Sequence, residues 1–200
     1  GDNPDNVYVQ AVVNPAREYR ISGKRNGCPY LSFGSKANRY ATDGTMVSTG
    51  EVELDDLEVG ADGSFEIVAS VTPQAGNWLP MAQDTSLIIV RETFDDKRTQ
   101  SKADVTIERM GEGPSAHPLL TPETITAQLS GAAAFVRGTA NTFADWTQWF
   151  MAQPNRVFAG DQAVFQRAGG DPKIWYGHLF YDLKPGEALV IEAMPPQCRM

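Results

Sequence analysis

Residues 76–96 read GNWLPMAQDTSLIIVRETFDD and contain the most apolar strand that the sequence predicts. Ser86 to Glu92 is a continuous, mostly apolar run of strand length, which predicts a strand buried on both faces. Trp78-Leu79-Pro80 precedes this run. Since Pro80 lacks an N–H group and has a fixed φ, we expect this segment to set the direction of the strand while lying outside its hydrogen-bonded ladder.

Arg91 lies at the end of that apolar run, where an unpaired cation would be costly to bury. We therefore expect Arg91 to emerge at the rim of the sheet, facing a helical segment, and to hold a carboxylate in a forked geometry. The carboxylate belongs either to the protein, as a structural ion pair, or to a ligand. The sequence leaves both alternatives open.

Further short strands are predicted within the first 110 residues, with turn residues between them. Asn14-Pro15 predicts a hairpin between the first two strands, and Asp62-Gly63 predicts another later in the chain. This spacing of strands and turns indicates a mainly β fold, either a β-sandwich or a jelly-roll-like barrel. Alternating apolar and polar side chains place these further strands at Val7–Val13, Arg17–Ser22, Cys28–Ser35, Glu51–Glu58, Ser64–Ser70 and Ala103–Arg109.

A helical insertion is predicted at residues 112–160. Thr121-Pro122-Glu123 combines an N-cap, a first-turn proline and an acidic side chain, and Gly138 predicts the end of this first helix. A second helix is predicted from Thr142 to Ala152. Its aromatic side chains are expected to pack on the sandwich, with a ligand surface as the alternative. These aromatic residues are Phe143, Trp146, Trp149 and Phe150.

Two last strands are predicted after the insertion, at Ile174–Tyr181 and Ala188–Ala193, because both segments return to β-type composition. The sequence therefore predicts one β-sandwich domain over residues 1–200, as a fragment of a longer chain.

The composition excludes several classes of protein. The net charge of −8 and the scattered Lys and Arg residues argue against binding of nucleic acid. No apolar run approaches the ~18 residues that a membrane helix requires. The first residues do not resemble a signal peptide, and two free thiols at Cys28 and Cys198 are favoured over a disulfide, so a cytoplasmic location is expected.

Few residues are available for catalysis. The sequence has no nucleophile elbow, metalloprotease motif or phosphate-binding glycine loop, and we predict neither a cofactor nor a metal. His117 is interpreted as an exposed or capping residue. His178 is a weak candidate for acid–base chemistry, and a structural, hydrogen-bonded histidine is the commoner explanation. The candidate ligand-binding residues are Trp78, Arg91 and His178.

Three stretches resemble the bacterial domain-of-unknown-function family 1214: NPDNVYVQAVVNPAREYRISGK, GNWLP with the following strand and ADVTIER, and GEALVIEAMPP. Trp78, Pro80 and Arg91 match its recurrent W-x-P and terminal-arginine positions. The resemblance implies a β-sandwich that forms the C-terminal part of a larger protein, beside a companion domain. It implies no reaction.

Three functions are compatible with the sequence. The first is a binding or scaffolding module for an apolar or aromatic small molecule, with or without a carboxylate. The second is an enzyme acting on a hydrophobic carbonyl or ester substrate, with Arg91 as anchor and His178 or an acid as proton carrier. The third is a structural domain that contacts a companion domain or forms a homo-oligomer.

Overall fold

The computed structural model describes residues 5–111, 113 and 120–194. Two four-stranded sheets pack face to face, which confirms the mainly β sandwich; the jelly-roll-like alternative stays a prediction. Sheet 1 has the strand order β1-β7-β3-β4, and sheet 2 has the order β6-β5-β2-β8. The strands are β1 (Asn6–Val12), β2 (Tyr19–Lys24), β3 (Tyr30–Arg39), β4 (Thr45–Glu53), β5 (Ser64–Ser70), β6 (Trp78–Pro80), β7 (Leu87–Thr93) and β8 (Asp104–Arg109).

The core lies between the two sheets. Alternate side chains of each strand point inward, so that Phe33 of β3 meets Phe65 of β5 with ring centroids 5.5 Å apart. Ile88 and Val90 of β7 are buried in the same cluster as Ile21 of β2. β7 is covered on both faces, as its apolar run predicts.

The two predicted hairpins are wrong. β1 and β4 belong to sheet 1, whereas β2 and β5 belong to sheet 2, so each connection crosses from one sheet to the other. The turns themselves form: Arg17 N donates to the carbonyl of Asn14 at 2.9 Å, and Gly63 adopts a φ of 83°. Turn residues predict a change of direction, but they do not specify the sheet that the next strand joins.

Trp78–Pro80 lies inside a ladder, contrary to the prediction. It forms β6, which pairs with β5 in parallel at the edge of sheet 2. Proline is accepted at an edge because its missing N–H is not needed there. The Pro80 carbonyl accepts a hydrogen bond from Ser35 Oγ of sheet 1 at 2.5 Å, so β6 connects the two sheets on this side. Leu79 is fully buried between them.

One helix, α1 (Pro122–Met151), replaces the two predicted helices. Thr121 caps it as expected, accepting from Thr124 N at 3.2 Å. Gly138 lies inside α1, where the helix passes β3: an added Cβ would lie 1.7 Å from the carbonyl oxygen of Tyr40. Gly138 therefore permits a close approach instead of ending the helix.

The segment after α1 contains the short helix α2 (Gln162–Arg167) and none of the predicted last strands within the described residues. Residues 174–181 and 188–193 find no strand partner there; His178 makes only an isolated bridge with Phe158. A β-type composition does not produce a strand without a neighbouring edge to pair with. The domain limits of 1–200 and the insertion limits of 112–160 stay predictions.

Candidate functional site

Trp78, Arg91 and His178 do not form a common site. Trp78 lies on the edge strand of sheet 2, where its Nε1 donates to the Ser70 carbonyl at 3.2 Å. Arg91 lies on the outer face of sheet 1. His178 lies among aromatic side chains beside α1. Neither Trp78 nor His178 reaches the cavity that Arg91 lines.

Arg91 lies inside the sheet and not at its rim, since β7 continues to Thr93. One nitrogen, Nη2, donates to Asp171 Oδ2 at 2.6 Å and to the Tyr30 hydroxyl at 3.1 Å. The expected carboxylate therefore belongs to the protein, and it contacts a single nitrogen instead of the fork. Burial disfavours the charged form, but Tyr30 and Asp171 outweigh it and raise the pKa of Arg91, which stays a cation.

A second buried ion pair lies on the same face. Lys36 Nζ of β3 donates to Glu51 Oε1 of β4, which also accepts from Ser48 Oγ at 2.8 Å. Burial raises the pKa of Glu51 because the attraction of Lys36 does not fully offset the loss of hydration. Gly34 makes room for this carboxylate: an added Cβ would lie 2.5 Å from Glu51 Oε2.

The two ion pairs line one cavity of about 90 Å³, here called the ion-pair cavity. The segment after α2 covers it, held by Tyr40, whose hydroxyl donates to the Ala168 carbonyl at 2.7 Å. The cavity is large enough to hold ordered water. It is far smaller than the ~300 Å³ or more of a typical drug-sized pocket. The lining residues are Tyr8, Ser32, Gly34, Lys36, Glu51, Ile89, Arg91, Gly169, Asp171 and Tyr176.

Sequence reasoning missed Lys36, Glu51 and Asp171. Lys36 stands at an outward position of a strand whose other residues are mostly buried, and a charge inside that buried run is the signal that could have found it. Asp171 lies in the AGGDP turn, far from β7 in sequence. No local pattern connects it to Arg91.

His178 is part of an aromatic cluster. Its ring stacks on Phe150 at 4.5 Å with an interplanar angle of 11°, and it lies 4.4 Å from the ring of Phe165. Burial lowers the pKa of His178, and its Nε2 has no hydrogen-bond partner among the described residues. The aromatic side chains of α1 pack mainly against this cluster and α2, and Phe143 reaches sheet 1 through Tyr40.

A second cavity, of about 180 Å³, lies between the sheets at the side formed by β1 and β8. It is apolar, unlike the ion-pair cavity. Its lining comes from four strands in two sheets, so no continuous stretch of sequence indicates it. The lining residues are Val9, Gln10, Ala11, Ile21, Ile88, Val90, Val105 and Ile107.

α1 exposes apolar side chains and buries none. Ile125, Leu129 and Val136 lie on one face of the helix, since they are four and seven residues apart. They are here called the exposed stripe; Leu129 is 67% exposed and Val136 is 65% exposed. No described residue covers them.

The described residues form neither a metal-binding group nor a membrane-spanning helix. The described residues contain no group of three or more His, Cys, Asp or Glu side chains that could hold a metal ion. None of the described helices has the length and apolarity needed to cross a membrane. Cys28 is buried in the core, where burial raises the pKa of its thiol to about 11; Cys198 and His117 lie outside the described residues.

Comparison with solved structures identifies similar proteins. The crystal structure of an uncharacterised protein from Burkholderia cenocepacia superposes with a TM-score of 0.85 and is 43% identical over 92% of this chain. This chain spans 51% of that protein. A crystal structure from Vibrio parahaemolyticus covers 54% of this chain and 31% of its own, with 14% identity and a TM-score of 0.40, which is too low to support an argument.

No family model and no curated protein matches the chain. The resemblance to family 1214 therefore stays a prediction. The Burkholderia cenocepacia structure supports the fold, and that protein is described only as uncharacterised.

Proposed function

We propose that this chain is a scaffolding module that binds a companion domain through the exposed stripe of α1. The proposal rests on the exposure of α1, a 30-residue helix that has no buried side chain and presents Ile125, Leu129 and Val136 to solvent. In folded proteins, most of the stability of a helix comes from packing of its apolar face. The first part of α1, from Pro122 to Ala133, is exposed throughout, and a partner on the stripe would supply that packing.

A companion domain is the occupant we propose. The Burkholderia cenocepacia protein is about twice as long as the part that this chain matches, so a second region of polypeptide exists in that relative. Further apolar side chains are exposed after α2, including Trp175, Tyr181 and Val190. Together with the stripe they supply apolar area of the kind that protein interfaces bury.

The test uses the unmatched half of the Burkholderia cenocepacia protein as a separate polypeptide. We expect it to bind the wild-type chain, and we expect the double variant Leu129→Lys/Val136→Lys to bind at least about tenfold more weakly, a difference of 1.4 kcal/mol. Val12→Lys is the matched control, since Val12 is 85% exposed on another surface. Isothermal titration calorimetry gives the affinities, and circular dichroism verifies the fold of each variant.

Two results would contradict the proposal: no binding by the wild-type chain, or an equal loss of affinity in the Val12→Lys control. If the wild-type chain instead forms a dimer that the double variant dissolves, the occupant is a second copy and not a companion domain. Sedimentation velocity separates these outcomes.

The apolar cavity supports a second candidate function, binding of a small apolar or aromatic molecule. Its volume of about 180 Å³ exceeds the ~150 Å³ of an engineered apolar cavity that accepts benzene. We expect benzene to shift the methyl NMR signals of Val9 and Ile107 in a saturable way. Ala11→Phe should fill the cavity and remove those shifts, whereas Val12→Phe, on the exposed side of β1, should not.

The enzyme hypothesis gains no specific support. Arg91 already pairs with Asp171, and His178 is surrounded by aromatic rings and does not line the cavity of Arg91. A proton carrier has to lie within hydrogen-bond reach of the substrate that the anchor holds.

A further inference from the structure

Three of the four sheet edges among the described residues are protected against pairing with a further strand. An edge strand presents unpaired N–H and C=O groups, which folded proteins protect by cover, short length, proline or charge. β4 is bridged by Ala168 of the segment after α2, and β6 has only three residues, the last of which is Pro80. β8 carries Asp104, Glu108 and Arg109, which are exposed.

β1, the fourth edge, has none of these devices. It is seven residues long, reads NVYVQAV and contains no charged residue and no proline. Valine and tyrosine are residues that favour strands. Tyr8 is 56% exposed and Val12 is 85% exposed, so the edge also presents apolar surface. Among the described strands, β1 pairs with β7 alone, and its other side is open to a further strand.

The backbone groups of β1 alternate between β7 and the open side. Val13 N donates to the Ser86 carbonyl at 3.0 Å, and the Asp5 carbonyl accepts from Phe94 N at 2.8 Å. In an antiparallel pair, residues that exchange hydrogen bonds alternate with residues that do not. The unbroken register between these two ends therefore turns the odd-numbered residues of β1 toward β7 and the even-numbered residues away from it.

Three residues of β1 keep both outward backbone groups free of the other described residues: Tyr8, Gln10 and Val12. The remaining even-numbered residue, Asn6, differs because its carbonyl accepts from Lys97 Nζ at 3.2 Å. The three free residues are evenly spaced about Gln10. A strand with this symmetry can pair antiparallel with a second copy of itself, with a two-fold axis at the central residue.

We propose that β1 pairs in this way with a second copy of the chain, with Gln10 opposite the partner's Gln10. Backbone groups alone would accept any extended strand, so the side chains select the partner. In this register Tyr8 lies beside the partner's Val12, an aromatic–β-branched pair of the kind that stabilises sheets. On the opposite face, Val9 lies beside the partner's Ala11. Because β1 has no charged residue, no like charges meet in the ladder.

The association should be weak. Two edge strands bury less area than the ~1,200 Å² or more of stable interfaces. Each copy also carries a net charge of −8, which opposes self-association. We therefore expect a dissociation constant of about 10–100 µM. The contact does not involve the exposed stripe of α1, so it is independent of the companion domain.

Amide hydrogen exchange at two protein concentrations tests which groups become protected. In ¹⁵N-labelled protein, the amides of Tyr8, Gln10 and Val12 should exchange severalfold more slowly at about 1 mM than at about 20 µM, since most chains are dimers only at the higher concentration. The amides of Val9 and Ala11 already bond to β7 and should change less. The same exchange rates of the three outward amides at both concentrations would overturn the proposal.

Charge variants test the register. Gln10→Lys places two cations opposite each other across the axis, and Gln10→Glu places two anions there, so each variant alone should dimerise severalfold more weakly than the wild type. An equimolar mixture should recover the dimer in sedimentation velocity, because opposite charges then meet. Gln10→Asn is the matched control and should dimerise like the wild type. A mixture that associates no better than the single variants, or single variants that dimerise like the wild type, would overturn the proposed pairing.

The double variant Leu129→Lys/Val136→Lys distinguishes this contact from the exposed stripe. It should dimerise like the wild type, because α1 takes no part in the pairing. If the double variant dissolves the dimer, two copies meet through α1 and the proposal for β1 is wrong.

Discussion

The two faces of sheet 1 are built from the same strands and have opposite chemistry. On β7, Ile88 and Val90 enter the apolar core, while Ile89 and Arg91 point to the outer face. The inner face is closed by sheet 2, and the outer face is covered by the segment after α2. A continuous apolar run thus predicts cover on both faces, but it does not predict that both covers are apolar.

The two faces should also respond differently to substitution. On the inner face, a shortened side chain leaves a cavity, and the cost depends on the volume removed. On the outer face, loss of one ion-pair partner leaves the other as a buried, unpaired charge, whereas loss of both partners leaves no buried charge. The following predictions test this difference, beginning with the largest effect.

Phe33→Ala should reduce the free energy of unfolding by about 3–5 kcal/mol, because Phe33 is fully buried and packs on Phe65. Urea denaturation measures the loss. Val12→Ala, at an exposed position of β1, should change stability by less than about 0.5 kcal/mol. A loss below about 1 kcal/mol for Phe33→Ala would contradict the close packing of the inner face.

Asp171→Ala should reduce the free energy of unfolding by about 3 kcal/mol, because Arg91 keeps its charge in a buried place. The double variant Arg91→Met/Asp171→Ala should regain most of that loss. A double-mutant cycle in urea gives the coupling between the two side chains. If the losses of unfolding free energy in the two single variants simply add in the double variant, the outer face behaves like the inner one.

Trp149→Ala should reduce the free energy of unfolding by about 2 kcal/mol, which is less than the ~3–5 kcal/mol lost when a fully buried aromatic residue is replaced by alanine. Trp149 packs edge-on against Phe158 at 4.4 Å, but it remains partly exposed and does not enter the core between the sheets. Thermal unfolding followed by circular dichroism measures the effect. A loss of stability as large as that of Phe33→Ala would mean that Trp149 packs in a core that contributes as much to stability as the core between the sheets.

His178→Phe should have the smallest effect, visible only as a change in pH dependence. Since burial lowers the pKa of His178, the unfolded chain takes up this proton more readily than the folded one below the ordinary value of 6.5. The wild type should therefore lose stability as the pH falls from 6.5 through the lowered pKa, by no more than about 2 °C in Tm.

His178→Phe keeps an aromatic ring for the stack on Phe150 and cannot titrate, so its Tm should decrease less over the same range. Differential scanning fluorimetry across this pH range compares the two proteins. A parallel decrease in both would assign the pH dependence to other groups.

The sequence predicts the elements whose information is local. Period-2 alternation finds β1, β2, β3, β5 and β8, but it places a strand at Glu51–Glu58 where β4 covers Thr45–Glu53. The Thr121 N-cap marks the beginning of α1. Sequence-based prediction fails at Gly138, because the sequence alone does not distinguish a glycine that ends a helix from a glycine that allows close contact with Tyr40. It also fails for residues 174–181, since a strand needs an edge that only the folded molecule provides.

The candidate site is less predictable than the fold. Arg91 is recognisable, because a cation after four apolar residues requires a partner. Its partner Asp171 is 80 residues away in a glycine-rich turn, and Glu51 is one of many acidic residues in its region. Long-range pairing on a sheet face depends on topology, which strand patterns alone do not determine.

The two sheets are held together more closely on one side of the sandwich than on the other. On the β4–β6 side, Ser35 Oγ joins the sheets through the Pro80 carbonyl and also contacts Thr49 Oγ1 at 2.7 Å. On the β1–β8 side, the sheets are separated by the apolar cavity. Transient separation of the sheets should therefore begin at β1 and β8, where amide hydrogens should exchange with solvent earlier than those of β3 and β5.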